Sequence, residues 1–203
     1  MKRITGAFWL IFVLLPAVAY GQFDRHPRVQ VGASGGVFRI SLDRFDRHYG
    51  NRLAFPLGLQ VGYAFSPSFL AMLRGRHFQK TSSEKNNLEA RPVWQEDWLE
   101  LGIQQYSLSF SGTSRTFFGF GLAFFWIQEK HGGVFLRSLG YEKSNVQPRG
   151  FYICGGFDYL IRERVTLSFE IELTSAGVEQ GAGLEAQSVG GIFVNAGVNF
   201  LLF

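Results

Sequence analysis

The chain has 203 residues, with 20 Lys and Arg against 16 Asp and Glu, a formal excess of +4. Two of the basic residues, Lys2 and Arg3, belong to an N-terminal leader. Taking 2 from 20 leaves 18 against 16 in the body, and no basic cluster beside a stacking platform supports nucleic-acid binding. Cys154 is the single cysteine, which excludes an internal disulfide and a cysteine-built zinc site.

Lys2 and Arg3 precede an apolar run from Phe8 to Leu15, then Pro16 and the small-residue stretch Ala17, Val18, Ala19, Tyr20 and Gly21. This order is that of a secretory signal, and its apolar core is shorter than the ~20 residues of a spanning helix. Residues 1–21 are expected to be removed, with cleavage after Gly21 and Ala19 as the alternative. Residues 22–203 then form one domain, with no internal repeat and no linker.

The body holds most of the 25 glycines and 22 phenylalanines, its apolar residues fall in short alternating runs, and helical periodicity is missing. Eight strands are predicted, at 28–42, 53–65, 69–80, 93–108, 115–128, 149–161, 164–175 and 189–203. Val29, Val31 and Ala33 share one phase and Phe38, Ile40 and Leu42 the other, which predicts a bulge at Gly35 and Gly36. Leu57, Leu59, Val61 and Tyr63 oppose Gly58, Gln60 and Gly62, and Phe69, Ala71 and Leu73 oppose Arg74 and Arg76. Leu99, Leu101 and Ile103 alternate with Glu100 and Gly102, with a phase shift expected near Gln104 and Gln105. Phe118, Phe120, Leu122, Phe124 and Trp126 alternate with glycine and alanine, and Phe151, Ile153, Phe157 and Tyr159 oppose Cys154, Gly156 and Asp158. The clearest strand sets Val165, Leu167, Phe169, Ile171 and Leu173 against Thr166, Ser168, Glu170, Glu172 and Thr174. Ile192, Val194, Ala196, Val198, Phe200 and Leu202 close the series against Asn195, Gly197 and Asn199.

Connections alternate in length. Those at 66–68, 109–114 and 162–163 are short, whereas 43–52, 81–92, 129–148 and 176–188 are long and polar. This asymmetry is expected of an outer-membrane barrel, with tight periplasmic turns and long outer loops. The fold class is therefore all-β, an eight-stranded antiparallel up-and-down transmembrane barrel. The alternative, a soluble lipocalin-like barrel, would turn the apolar face inward. Placing Arg74, Arg76, Glu100, Asp158, Glu170 and Glu172 in a narrow lumen, where they can pair, favours the membrane. Tyr63, Phe65, Phe69, Tyr106 and Tyr159 near the short turns, with Trp126 near the other end, are expected as interfacial girdles.

The C-terminal stretch with Asn195, Gly197, Phe200, Leu202 and Phe203 resembles the terminal strand signal of outer-membrane proteins, although Phe203 is out of phase with Phe200 and Leu202. Residues 28–203 as a whole resemble the small eight-stranded barrels of the OmpX and OmpA membrane-domain type. The resemblance implies outer-membrane lipid as surroundings and recognition of the last strand by the barrel-assembly machinery. Eight strands leave an interior that side chains can fill, so a general diffusion pore is not expected. The function expected is non-enzymatic, in envelope integrity or in surface binding through the outer loops, with the ligand unassigned. A lipid A-modifying enzyme is the competing expectation. The His-x-Ser arrangement of lipid A deacylases is absent at His26, His48, His77 and His131, and His131 near Ser138 is the one faint candidate. No metal or cofactor motif is present in the sequence.

Overall fold

The computed structural model of the chain describes residues 29–83, 90–108, 113–132, 135–138, 144–162, 164–177 and 188–202. The expected signal peptide and Phe203 lie outside them. Eight long strands are β1 (Val29–Ile40), β3 (Leu57–Ser66), β4 (Phe69–Thr81), β5 (Val93–Leu108), β6 (Ser114–Lys130), β8 (Arg149–Arg162), β9 (Val165–Gly177) and β10 (Ser188–Leu202). Two-residue strands β2 (Leu53–Ala54) and β7 (Asn145–Val146) pair antiparallel with β1 and β6 respectively. Each long strand pairs antiparallel with the next, and β10 pairs with β1 from Val29 opposite Leu202 to Ile40 opposite Gly191. The ring is closed, so no long strand presents an unpaired edge.

Closure fixes which side of each strand faces inward. Leu57, Leu59, Phe118, Phe120, Leu122, Phe151, Ile171, Val194 and Phe200 point out and are exposed, whereas Arg74, Glu100, Tyr152, Glu172 and Phe193 point in and are buried. A lipocalin-like barrel has the opposite polarity. Tyr152 spans the lumen because the glycines beside it have no side chains: Gly102 and Gly121 are register partners, and a Cβ on either would strike Tyr152.

Three expectations are corrected. β1 keeps unbroken register with β10 and, through β2 and β3, with its other neighbour, so there is no bulge at Gly35 and Gly36. Phe38 and Ile40 change phase in the sequence because they face inward, into an aromatic plug at that end of the lumen. Nor does β5 shift phase at Gln104 and Gln105, since its pairing with β6 is regular throughout and every even-numbered side chain from Trp94 to Tyr106 is turned inward or packed at the inner face. Tyr106 is accordingly buried in the lumen and not part of an outer girdle. Register irregularities lie instead beside the tight turns, at Phe65 and at Ile161. Strand 53–65 is split at Pro56, which has no amide hydrogen to donate.

Candidate functional site

The lumen is filled in three storeys. Next to the short turns, Arg115 meets Asp158 at 2.7 Å, donates to Gln30, and lies 4.0 Å from the centre of the Tyr106 ring. Across from it, Gln60 donates to Asn199 at 2.5 Å. Every inward polar side chain here comes from the strand alternation itself, since residues two apart share a face.

The middle storey is a buried charge layer. Arg74 on β4 reaches Glu170 at 2.6 Å and Glu172 at 3.0 Å on β9. Arg76, two residues on, reaches Glu172 at 2.7 Å and Glu100 on β5 at 2.8 Å. Glu170 also accepts from Asn195 at 3.1 Å and Gln104 at 3.3 Å. Arg76 lies 4.7 Å from the centre of the Phe193 ring, a cation–π contact on its other side. Three carboxylates thus face two guanidiniums, all from neighbouring or opposed strands. A buried ion pair contributes little by itself but is costly to break, because the partner left behind is an uncompensated charge.

The third storey is the aromatic plug. Phe38 meets Trp98 edge-on at 4.6 Å, and Trp98 meets Phe125 at 5.6 Å and Phe193 at 6.0 Å. Within the plug the indole hydrogens of Trp94 and Trp98 both point to Glu96, at 3.0 and 2.5 Å. Above it sit two short helices, α1 (Phe45–Tyr49) after β1 and α2 (Phe135–Ser138) after β6. In the ring of eight, β1 and β6 are four strands apart in either direction, hence diametrically opposed. Helices rooted there meet over the mouth of the lumen, and they do: Phe45 contacts Phe135 edge-on at 5.5 Å, and Trp94 lies under both.

Glu129 of β6 fastens this lid. Its carboxylate accepts from the Phe135 amide at 3.1 Å, the Leu136 amide at 2.9 Å and the Tyr49 hydroxyl at 2.7 Å. Burial, and then the adjoining Glu129 carboxylate, hold the Tyr49 phenol well above its ordinary range. Gly50 ends α1 at φ 79°, a left-handed conformation that glycine adopts without strain. Lys80 secures the following loop by donating to Asn51 and to the Leu53 carbonyl, each at 2.6 Å.

Of the inward charges expected from sequence, the structure brings Arg74, Arg76, Glu100, Glu170 and Glu172 together and places Asp158 in the storey below, with Arg115. Of the C-terminal residues, Asn195 joins the charge layer, Gly197 pairs with Ser34 at the seam, and Phe200 and Leu202 point outward. Sequence reasoning missed Arg115, Glu96, Glu129 and Tyr49. The first three could have been found by extending the inward parity of their strands to both ends, but Tyr49 carries no such signal. Ser138, the expected neighbour of His131, donates its hydroxyl to the Phe135 carbonyl at 2.7 Å. On the outer wall, His77 pairs with Asp97 at 2.7 Å.

A closed antiparallel ring of eight long strands, apolar outside and charged within, is the architecture of the small outer-membrane β-barrels, and that is the fold of this chain. Comparison with solved structures finds the same architecture. The crystal structure of Neisserial surface protein A is similar over 86% of this chain and 97% of that one, at TM-score 0.61 and 12% identity. The N-terminal barrel of Pseudomonas aeruginosa OprF is similar over the same shares, at 0.56 and 15%, as is P. aeruginosa OprG, at 0.51 and 16%. No protein-family model matches the chain, and no curated protein matches its sequence.

Proposed function

We propose that this chain is a non-enzymatic integral barrel of the bacterial outer membrane, acting in envelope integrity or surface binding through the end that carries its long loops. The observation that carries the reading is the combination of an apolar outer wall with a lumen stoppered in three storeys. Every long strand contributes exposed large apolar side chains to the wall, far more than the few hundred Å² a soluble monomer exposes. Lipid satisfies that wall, and closure gives every long strand a hydrogen-bonded neighbour on both sides.

The filled lumen removes bulk diffusion as a role, so what the protein presents outward is its lid and loops. Residues 1–21 serve in this reading as the export signal, and the last strand, with Asn195, Gly197, Phe200, Leu202 and Phe203, as the segment recognised by the barrel-assembly machinery.

The test is expression in a bacterial host followed by fractionation and gel electrophoresis with and without boiling. Recovery in the outer membrane, with faster migration of the unboiled protein, is the expected result. A soluble periplasmic protein with no heat-dependent shift would overturn the reading.

A further inference from the structure

Between the bottom storey and the charge layer, side chains do not fill the lumen completely. A small cavity lies there, because Gly197, between Asn195 and Asn199 on the inner face of β10, brings no side chain to the space. The cavity sits at the closing seam, where Ser34 of β1 is the register partner of Gly197. Ser34, Gln60, Arg74, Ser168 and Asn195, from five different strands, line it together with Glu170. It has room for about one water molecule.

The lining carries hydrogen-bonding capacity that the protein itself does not use. Arg74 is only 2% exposed, and its Nε has no hydrogen-bond partner, although both terminal nitrogens are bonded to carboxylates of β9. Gln60 donates its side-chain amide to Asn199, and Asn195 donates its own to Glu170. Among the described residues, the side-chain carbonyl oxygens of Gln60 and Asn195 accept no hydrogen bond, and the hydroxyls of Ser34 and Ser168 form none.

We infer that this cavity is a binding site for one water molecule, which joins Arg74 to the strands of the closing seam. The water accepts from Nε of Arg74 and donates to the carbonyl oxygens of Gln60 and Asn195, while the two serine hydroxyls, free to rotate, serve as donor or acceptor. A buried guanidinium hydrogen without an acceptor is costly, and the water removes that cost. The chemistry of the lining selects a neutral molecule. A cation in the cavity would be repelled by Arg74, and an anion by Glu170, whereas water both donates and accepts. A dry void requires apolar walls, which this cavity lacks. The direct ion pairs of Arg74 run across the lumen to β9, so the water extends its reach to β3 and β10, where ion pairs do not take it.

The test is a high-resolution crystal structure of the refolded mature chain, grown once from sodium chloride and once from rubidium bromide. In both salts a single peak should lie about 3 Å from Nε of Arg74, with no anomalous signal from rubidium or bromide. A rubidium signal overturns the inference in favour of a cation, a bromide signal in favour of an anion, and a cavity without density in favour of a dry void. In solution, nuclear magnetic resonance should show direct magnetisation transfer from water to the side-chain amide hydrogens of Gln60 and Asn195. The transfer should persist in Ser34→Ala, which leaves the cavity open, and be lost in Ser34→Leu, which fills it. No transfer in the wild type, or undiminished transfer in Ser34→Leu, also overturns the site. The two wild-type measurements decide the matter if Ser34→Leu does not fold.

Discussion

The Tyr49 hydroxyl donates to Oε1 of Glu129 at 2.7 Å, joining a helix rooted on β1 to the strand on the opposite side of the barrel. Because the folded state holds the Tyr49 phenol above its ordinary value near 10, its contribution is fully present below that pH and is lost as pH rises beyond it. Proteolysis at the loop end should therefore accelerate above about pH 10 in the wild type. Tyr49→Phe should raise cleavage at neutral pH, by loss of a bond worth about 1–3 kcal/mol, and flatten the alkaline response. An alkaline rise of the same size in Tyr49→Phe would show that Tyr49 is not the titrating latch.

Removing one cation from the charge layer should be far costlier than removing one carboxylate. Arg76→Met leaves three buried carboxylates against Arg74 alone, and the expected destabilisation is about 3–5 kcal/mol. Glu100→Gln brings the layer to two against two, and Glu100 reaches Arg76 at 2.8 Å but Arg74 at 3.9 Å. Urea midpoints of the refolded variants measure both. Glu100→Gln as damaging as Arg76→Met would contradict this account of charge balance.

Phe169 and Ser168 test which face meets lipid. Phe169 points outward and stacks on Phe157 at 5.1 Å, while Ser168 is buried in the lumen. Phe169→Arg should cost about 2–4 kcal/mol on refolding into lipid, and Ser168→Asn much less. Refolding yields in the reverse order would place lipid on the wrong side of the strand.

Conductance follows from the plug and the charge layer together. Planar-bilayer recordings of the wild type should show no stable porin-like current, because Phe38, Trp98, Phe125 and Phe193 close the lumen above the arginines. Long-lived large channels would require a rearranged interior.

Strand number, order and the inward direction of Arg74, Glu100 and Glu170 were legible in the sequence because period-two alternation maps directly onto the two faces of a sheet. The same rule misled wherever the interior turned apolar. Phe38 and Ile40 look like a change of face when the inside is assumed polar throughout, yet only the lining changes, from charge to aromatic plug. Tyr106 failed for the matching reason: an aromatic residue near a turn suggests an interface, but its parity with Gln104 and Glu100 fixes it inside. The meeting of Tyr49 and Glu129 lay beyond any local pattern, since 80 positions separate them and only ring closure brings β1 and β6 to facing sides.

The seam between β1 and β10 has a kinetic consequence. Seven of the eight junctions in the ring join strands that follow one another along the chain, but Val29 finds Leu202 only across nearly its entire length. Such a non-local pairing carries the largest loop-closure cost and forms late. Until it forms, the first and last strands each expose a row of unpaired amides and carbonyls, so the rate at which this one junction zips sets how long the chain remains open to pairing with a neighbouring copy.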